Sequence, residues 1–339
     1  MNKIQIRNFR YTDVEALLDI AQVSFADEMT AEGMTPEAFA QQVRRMAAGR
    51  MLPFTLLTAV RGVTWELLVA EIEGVVVGCG MYSGRRHMYL STLMVAPAYR
   101  RQGIGQALLM RRIQRIAERN YPAATVKVLS TNQASLGNLR KQDFEVCDRY
   151  SIYEHRLPLS VADHAPLPAI VGRPVRAADK PTFVVLEQQT THPVVLHVSD
   201  SLIGSYFPSV WDRMFDHLAQ DTTWSRSFEL NHELKGFLAV TTSQGQSKGL
   251  IMRPVVPDEH VAVLPAMIHE AAGWLTRAGK TAVQIIVPDD RAQITESLEQ
   301  SGWTKAFSWI QLVKWLDERA RTSAMKGSAQ AALPAADTS

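Results

Sequence analysis

The chain has 339 residues, long for a single hydrophobic core and comfortable for two domains. Hydrophobic residues at 46% and charged residues at 21% are ordinary globular values, which exclude wholesale disorder and a fibrous repeat. Lys plus Arg (36) nearly balances Asp plus Glu (34), and no long block of like charge occurs, so no nucleic-acid partner is expected.

Residues 1–10 are polar and mixed, and nowhere do eighteen apolar residues run together, so no membrane segment and a cytoplasmic location are the expectation. Cys79 and Cys147 are too few for a disulfide framework or a four-cysteine metal site and read as reduced thiols that pack like small core residues.

Ile4–Ile6 reads as a short strand, and a helix is expected from Asp13 to Val23 with Leu17, Leu18 and Ile20 inward and Thr12 or Asp13 as its cap. Phe39, Val43 and Met46 recur at helical spacing, which predicts a second helix over Thr35–Ala48 with Pro36 in its first turn. Trp65–Ile72 and Val75–Tyr82 flank a Glu73-Gly74 turn and form a hairpin, followed by a strand over Met88–Val95. Gly105–Asn120 is an amphipathic helix with Leu109, Ile113 and Ile116 on one face and Arg111, Arg112, Arg115 and Glu118 mostly on others. A strand over Thr125–Leu129, a helix over Ala134–Lys141 and strand material through Glu154 complete an α/β class with a mixed sheet.

From His155 to Pro174 four prolines and little periodicity mark a connection, and from Thr322 onward small polar residues predict a disordered tail. Beyond the connection the beginning repeats: Arg7, Arg10 and Asp13 are echoed at one offset by Arg173, Arg176 and Asp179. The order of elements from Gln106 to Tyr153 recurs from Ala266 to Trp315, with Gly302-Trp303 where the first half has Asp143-Phe144. Two copies of one fold are expected, over 1–158 and 172–318, with a linker at 159–171 and a tail at 319–339.

The stretch that carries chemistry runs from Leu93 to Leu109. A strand ends at Val95, the chain turns, and a glycine-bearing loop opens a long helix, so several backbone N–H groups stand at the positive end of a helix dipole. Gly103 and Gly105 let a diphosphate reach the backbone, and Arg100 and Arg101 add charge nearby. No Lys-Ser/Thr follows the glycines as a P-loop needs, and no acidic residue ends a following strand as a Rossmann unit prefers.

The pattern Arg100-x-x-Gly103-x-Gly105, preceded by Val95-x-Pro97-x-Tyr99-Arg100, resembles the acetyl-coenzyme A signature of the GNAT N-acetyltransferase superfamily. The segment Asn132–Phe144 resembles that family's downstream strand-to-helix element, which begins with Asn and ends Tyr-x-x-x-Gly-Phe; Asn132 and Phe144 agree, whereas Leu139 replaces the tyrosine and Asp143 the glycine. The resemblance implies tandem GNAT-like domains, each a mixed, mainly antiparallel twisted sheet flanked by helices. It also implies acetyl-CoA as co-substrate, held by Leu93, Met94, Val95, Arg100, Arg101, Gln102, Gly103, Ile104, Gly105, Gln106, Asn132 and Ser135. In many family members the missing tyrosine protonates the leaving thiolate, which leucine cannot do.

Direct attack of an amine on the thioester, the family's chemistry, needs orientation and removal of a proton but no covalent nucleophile, and Cys79 reads as core. Strand alternation puts His87, Tyr89, Ser91 and Leu93 on one face. His87, Tyr89 and Ser91 are the candidate catalytic group: Tyr89 and Ser91 would hold a water, with His87 or Glu71 as the final proton acceptor. The acceptor expected is a small amine, and a non-catalytic acyl-CoA sensor is the rival. A monomer or homodimer is expected.

The second copy reads as degenerate, since no glycine follows within Ile251–Glu270. Six of the seven tryptophans lie beyond residue 200 and line either an acceptor pocket or a core. His192, His197 and His217 lack metal-ligand spacing, so no metal is expected.

Overall fold

In the computed structural model the described residues are 3–24, 40, 44, 62–159, 170–199, 202–209, 213 and 221–331. The helix expected over Thr35–Ala48 lies outside them apart from Ala40 and Arg44, as do His217 and Trp211. The chain forms two units, one of Met1–Val128, Asn132–Val146 and Gln311–Lys326, the other of Leu129–Thr131, Cys147–Ile310 and Gly327–Ser339.

The first unit begins with β1 (Gln5–Asn8), a 3₁₀ turn over Tyr11–Asp13 and α1 (Val14–Ser24). It continues with β2 (Thr64–Ile72), β3 (Val75–Gly84), β4 (Met88–Val95), α2 (Ile104–Glu118), β5 (Ala123–Leu129) and α3 (Gln133–Arg140). The β2–β3 hairpin turns on Glu73 (φ 50°) and Gly74 (φ 81°), both left-handed, as a two-residue turn matched to strand twist requires. Strands β1 to β4 are antiparallel in sequence, and β5 joins β4 in parallel.

Both sheet faces are covered. Leu17, Ile20 and Ala21 of α1 pack on Val69, Cys79 and Met94, while Ile104 and Leu108 of α2 pack on Leu68, Ala70 and Val77 from the opposite side. Alternation of neighbouring strand residues between these two apolar layers is what fixes the register.

The second unit holds β6 (Glu145–Arg156) from Cys147 onward, β7 (Val171–Pro174), α4 (Lys180–Thr190), α5 (Pro193–Val198), α6 (Ile203–Tyr206), β8 (Asp221–Leu230), β9 (Glu233–Ser243), β10 (Lys248–Ile251), α7 (Leu264–Arg277), β11 (Ala282–Pro288) and α8 (Ala292–Gln300). Its strands run in the order β6-β11-β10-β9-β8-β7, with β10 and β11 parallel and β6 antiparallel to β11 over seven residue pairs from Arg156↔Ala282 to Tyr150↔Pro288. Trp224 and Trp303 are core residues and Trp274 packs beside them, so these tryptophans serve packing.

Two expected boundaries are corrected. Instead of a break after residue 158, the strand that closes the first repeat, β6, lies beside β11, and residues 311–315 of the final strand, β12 (Thr304–Trp315), lie in the first unit, where β12 neighbours β5. Each unit is therefore completed by the other repeat's last strand. Instead of a disordered tail from 319, Glu318–Ala331 form a helix, α9, in which Arg321 reaches Glu145 (2.8 Å) and Glu318 (3.1 Å) and Ala324 is buried. Ala, Arg, Met and Lys are strong helix formers, and the tertiary anchor at Glu145 lets that propensity act.

The repeat seen in the sequence has a structural counterpart. Arg7 clasps Asp13 through two nitrogens (2.8 and 2.9 Å) and Glu71 through Nε (2.7 Å), and Arg173 does the same to Asp179 (2.7 and 2.9 Å) and Glu229 (2.6 Å). Both aspartates also accept a backbone N–H, from Arg10 and Arg176, closing the 3₁₀ turn that opens the following helix. Leu139 and Leu298 are likewise matched: each is buried and its carbonyl accepts the N–H of the aromatic residue opening the next segment, Phe144 or Trp303, after a left-handed residue, Asp143 or Gly302.

Candidate active site

The site is built where β4 gives way to α2. Pro97–Tyr99 make one 3₁₀ turn, Arg101 is left-handed (φ 65°), and Gly103 (φ 81°) forms the N-cap of α2 without a side-chain cap. The first N–H groups of α2 thus have neither an intrahelical acceptor nor a capping side chain. A Cβ at Gly103 would meet nothing within 4 Å, and one at Gly105 only Val95 Cγ2 at 3.8 Å, so the space above the amides is open. Such a cradle fits an anionic diphosphate, which backbone N–H groups and the helix dipole both favour.

The side chains around the cradle divide their roles. Ile104 is buried, so it can contribute only its backbone N–H; Gln106 is exposed, and Gln102 donates to the Ala98 carbonyl at 3.5 Å. Arg100 donates to the Val95 carbonyl (3.1 Å) and Ser24 Oγ (3.4 Å), bracing the end of β4, whereas Arg101 is exposed. Asn132 caps α3, its Oδ1 accepting the Ser135 N–H at 3.0 Å, so that side chain is committed locally.

Ahead of the loop the sheet opens. β4 and β5 pair only from Met88↔Ala124 to Leu90↔Val126, so from Ser91 on the two strands part. At the same place β4 carries a bulge: its register against β3 jumps from Met81↔Ser91 to Cys79↔Met94, and Thr92 is left-handed (φ 51°). Past Leu90, β4 therefore has no ladder with β5, and residues 91–95 lead from this parting of the strands, here called the slot, into the glycine loop.

The bulge corrects one sequence reading. Leu90 lies opposite Tyr82, whose hydroxyl accepts from Arg119 at the end of α2, so Tyr89 and Ser91 point to the other face. Leu93 and Val95, beyond the bulge, pack with Ile104 and Leu108 of α2, and Met94 packs under α1. Leu93 is thereby separated from Tyr89 and Ser91, because one inserted residue reverses the alternation. Tyr89 is exposed, with Lys127 Nζ of β5 6.0 Å from its ring centroid; Ser91 Oγ is buried without a hydrogen-bond partner; His87 sits in the bend just before β4.

Two alternatives are removed by the geometry. Glu71 is held by Arg7, and its counterpart Glu229 is held identically by Arg173 in the copy without a glycine loop, so this carboxylate belongs to the fold rather than to proton transfer. Cys79 is buried under α1 and its thiol is pushed up to about 12 by burial, which keeps it protonated and unreactive.

The second repeat has a different turn at the corresponding place. Where the first has glycines, Asp258 and Glu259 occupy the first turn of a 3₁₀ segment (Asp258–Val263), putting negative charge where a diphosphate would need amides. Arg291, the N-cap residue of α8 as Asn132 is of α3, is buried and bonds Asp258 Oδ1 (2.9 Å) and the Val256 carbonyl. His192 caps α5, its Nδ1 accepting the Val194 N–H at 3.3 Å. Among the described residues no cluster of three or more His, Cys, Asp or Glu is placed to hold a metal ion.

Sequence reasoning missed Arg112. Among the described residues it heads the largest fully buried side chains, whereas the sequence reading sets it among residues mostly off the apolar face. The signal was present in the spacing, since Arg112 is four residues from both Leu108 and Ile116 and so lies on their buried stripe.

Residues 44–144 match the model of the Acetyltransferase (GNAT) family. An acetyltransferase of Yersinia pestis (strain Pestoides F) is 36% identical over 85 residues, covering 24% of this chain and 58% of the relative, so the match spans little more than half of that protein's length. Among solved structures, a tandem GNAT protein from the clavulanic acid biosynthesis pathway matches with a TM-score of 0.59 at 14% identity, over 93% of this chain and 99% of that one. A GCN5-related N-acetyltransferase from Sphaerobacter thermophilus matches with a TM-score of 0.60 at 15% identity, over 93% and 96%. Residues 44–144 are therefore similar to the Acetyltransferase (GNAT) family, and the chain shares the fold of solved tandem GNAT structures.

Proposed function

We propose that this protein is an acetyl-CoA-dependent N-acetyltransferase that passes the acetyl group directly to a small amine, with the coenzyme in the first unit. The observation that carries this reading is the uncapped, glycine-lined N-terminus of α2 that follows the slot between β4 and β5. Bound there, the coenzyme would supply the activated thioester. The chain's own groups would do the rest: the N–H groups of residues 103–106, with Arg101 near, would hold the diphosphate, and the stretch of β4 past Leu90, which has no ladder with β5, would align the arm. Tyr89, at the exposed mouth, would hold the water that takes the amine proton, with His87 beside it; the C–N bond forms as the C–S bond breaks, and the coenzyme leaves as its thiolate.

A second reading, an acyl-CoA sensor without turnover, rests on Leu139, which is buried and packed as Leu298 is, and on the lack of a carboxylate on β4. One experiment separates them. Purified protein is given acetyl-CoA and a panel of amines, amino acids, polyamines and aminoglycosides, and free thiol is followed; release with any of these supports the enzyme. Calorimetric binding of coenzyme A without release across the panel supports the sensor, and no heat and no thermal shift at millimolar coenzyme A rejects both.

A further inference from the structure

A buried arginine stands behind the parting of the strands. Arg112 of α2 is only 2% exposed, and among the described residues no carboxylate pairs with it. Its Nη1 instead donates to two main-chain carbonyls, Met81 and Ser91, each at 3.0 Å. These two residues form the last regular pair before the bulge, and Ser91 is the first residue of β4 beyond its pairing with β5. Gly80, the residue opposite the bulge, makes room for the guanidinium: a Cβ there would lie 2.9 Å from Nε and 3.0 Å from Cζ. Burial pulls the guanidinium down to about 10, still charged at neutral pH, so a costly cation with no carboxylate partner among the described residues is retained here.

A hydrophobic residue would fill the same space at lower cost, and the coenzyme loop opens the same helix eight residues earlier. We infer that Arg112 is a positioning residue that pins the bulge of β4 to α2 and thereby holds the slot between β4 and β5 open in register with the amide cradle, so that it governs binding of the coenzyme's arm but not of its nucleotide end. The inference rests on the coenzyme reading above. It predicts a selective effect, because the cradle amides belong to the first turn of α2 and Arg112 touches none of them.

The test compares two ligands by calorimetry on the full chain: coenzyme A, which has nucleotide and arm, and adenosine 3′,5′-diphosphate, which lacks the arm. The variants are Arg112→Met, Arg112→Lys and Gly80→Ala; the last pushes the guanidinium off the bulge without removing its charge and keeps the test available where Arg112→Met fails to fold. In Arg112→Met and Gly80→Ala the advantage of coenzyme A over the nucleotide falls at least tenfold, while nucleotide affinity stays within twofold of wild type. Arg112→Lys, which can still donate to a carbonyl, recovers part of that advantage. An unchanged advantage in folded Gly80→Ala, or equal losses for both ligands, overturns the inference. Binding of neither ligand by the wild-type protein overturns the coenzyme reading itself, and the inference with it.

Discussion

Arg7 holds Asp13 in a two-nitrogen fork, with the aspartate almost fully buried, and the same fork recurs between Arg173 and Asp179 in the second repeat. The clasp ties the first strand of each repeat to the turn that starts its first helix. Its presence in both copies, against the glycine loop's presence in one, separates what the fold needs from what the chemistry needs.

Removing one side of a buried pair leaves the other uncompensated, so Asp13→Asn is expected to destabilise the protein by about 3 kcal/mol at pH 7. The Arg7 hydrogen bond lowers the Asp13 carboxyl below its ordinary value, so its contribution is complete above the unfolded value of about 3.9 and is lost as pH falls through the folded one. Urea denaturation at pH 7 and near pH 3 checks this: wild type loses more stability than the variant over that range, and the gap narrows.

Glu71→Gln breaks the third arm of the clasp without touching the slot. The expected result is lower thermal stability with kcat for acetyl transfer within twofold of wild type. A hundredfold fall in kcat in steady-state assays would return Glu71 to the proton path.

Gly105→Ala tests the cradle. The added methyl meets only Val95 Cγ2 at ordinary contact distance and lies inside a helix, where alanine is favoured by about 0.5–1 kcal/mol, so the free protein should be as stable or more so. Acetyl-CoA affinity should nevertheless fall at least about tenfold if the diphosphate binds as proposed, because the methyl would intrude on its cradle. Thermal melts and calorimetry on one preparation measure both; equal affinity would move the diphosphate elsewhere.

Tyr89→Phe removes a hydroxyl at the exposed end of β4. Its expected effect is a fall of about 10²-fold in kcat with acetyl-CoA affinity within about threefold, the size general for a lost proton-transfer partner. Steady-state kinetics with a separately measured coenzyme Kd gives both numbers, and unchanged turnover removes Tyr89 from the reaction.

The sequence by itself determined the local elements of this protein. Strand β4, the glycine loop and α2 were legible because a period-two run, two glycines and a period-3.6 run are written in one continuous stretch, and the repeated Arg-x-x-Arg-x-x-Asp announced the duplication. Only the tertiary structure decided the rest. The bulge at Thr92 lies opposite Gly80 across the sheet, Arg112 of α2 bonds the Ser91 carbonyl beside it, and the bulge parts Leu93 from Ser91 although both stand at even spacing. The placement of β6 beside β11 and of β12 beside β5 depends on pairing between strands more than a hundred residues apart. Glu71 looked available for chemistry until Arg7, 64 residues earlier in the chain, was brought against it. Periodicity reports which side of an element is apolar; it carries no information on which distant group will fill that side, and the slot is made of such distant groups.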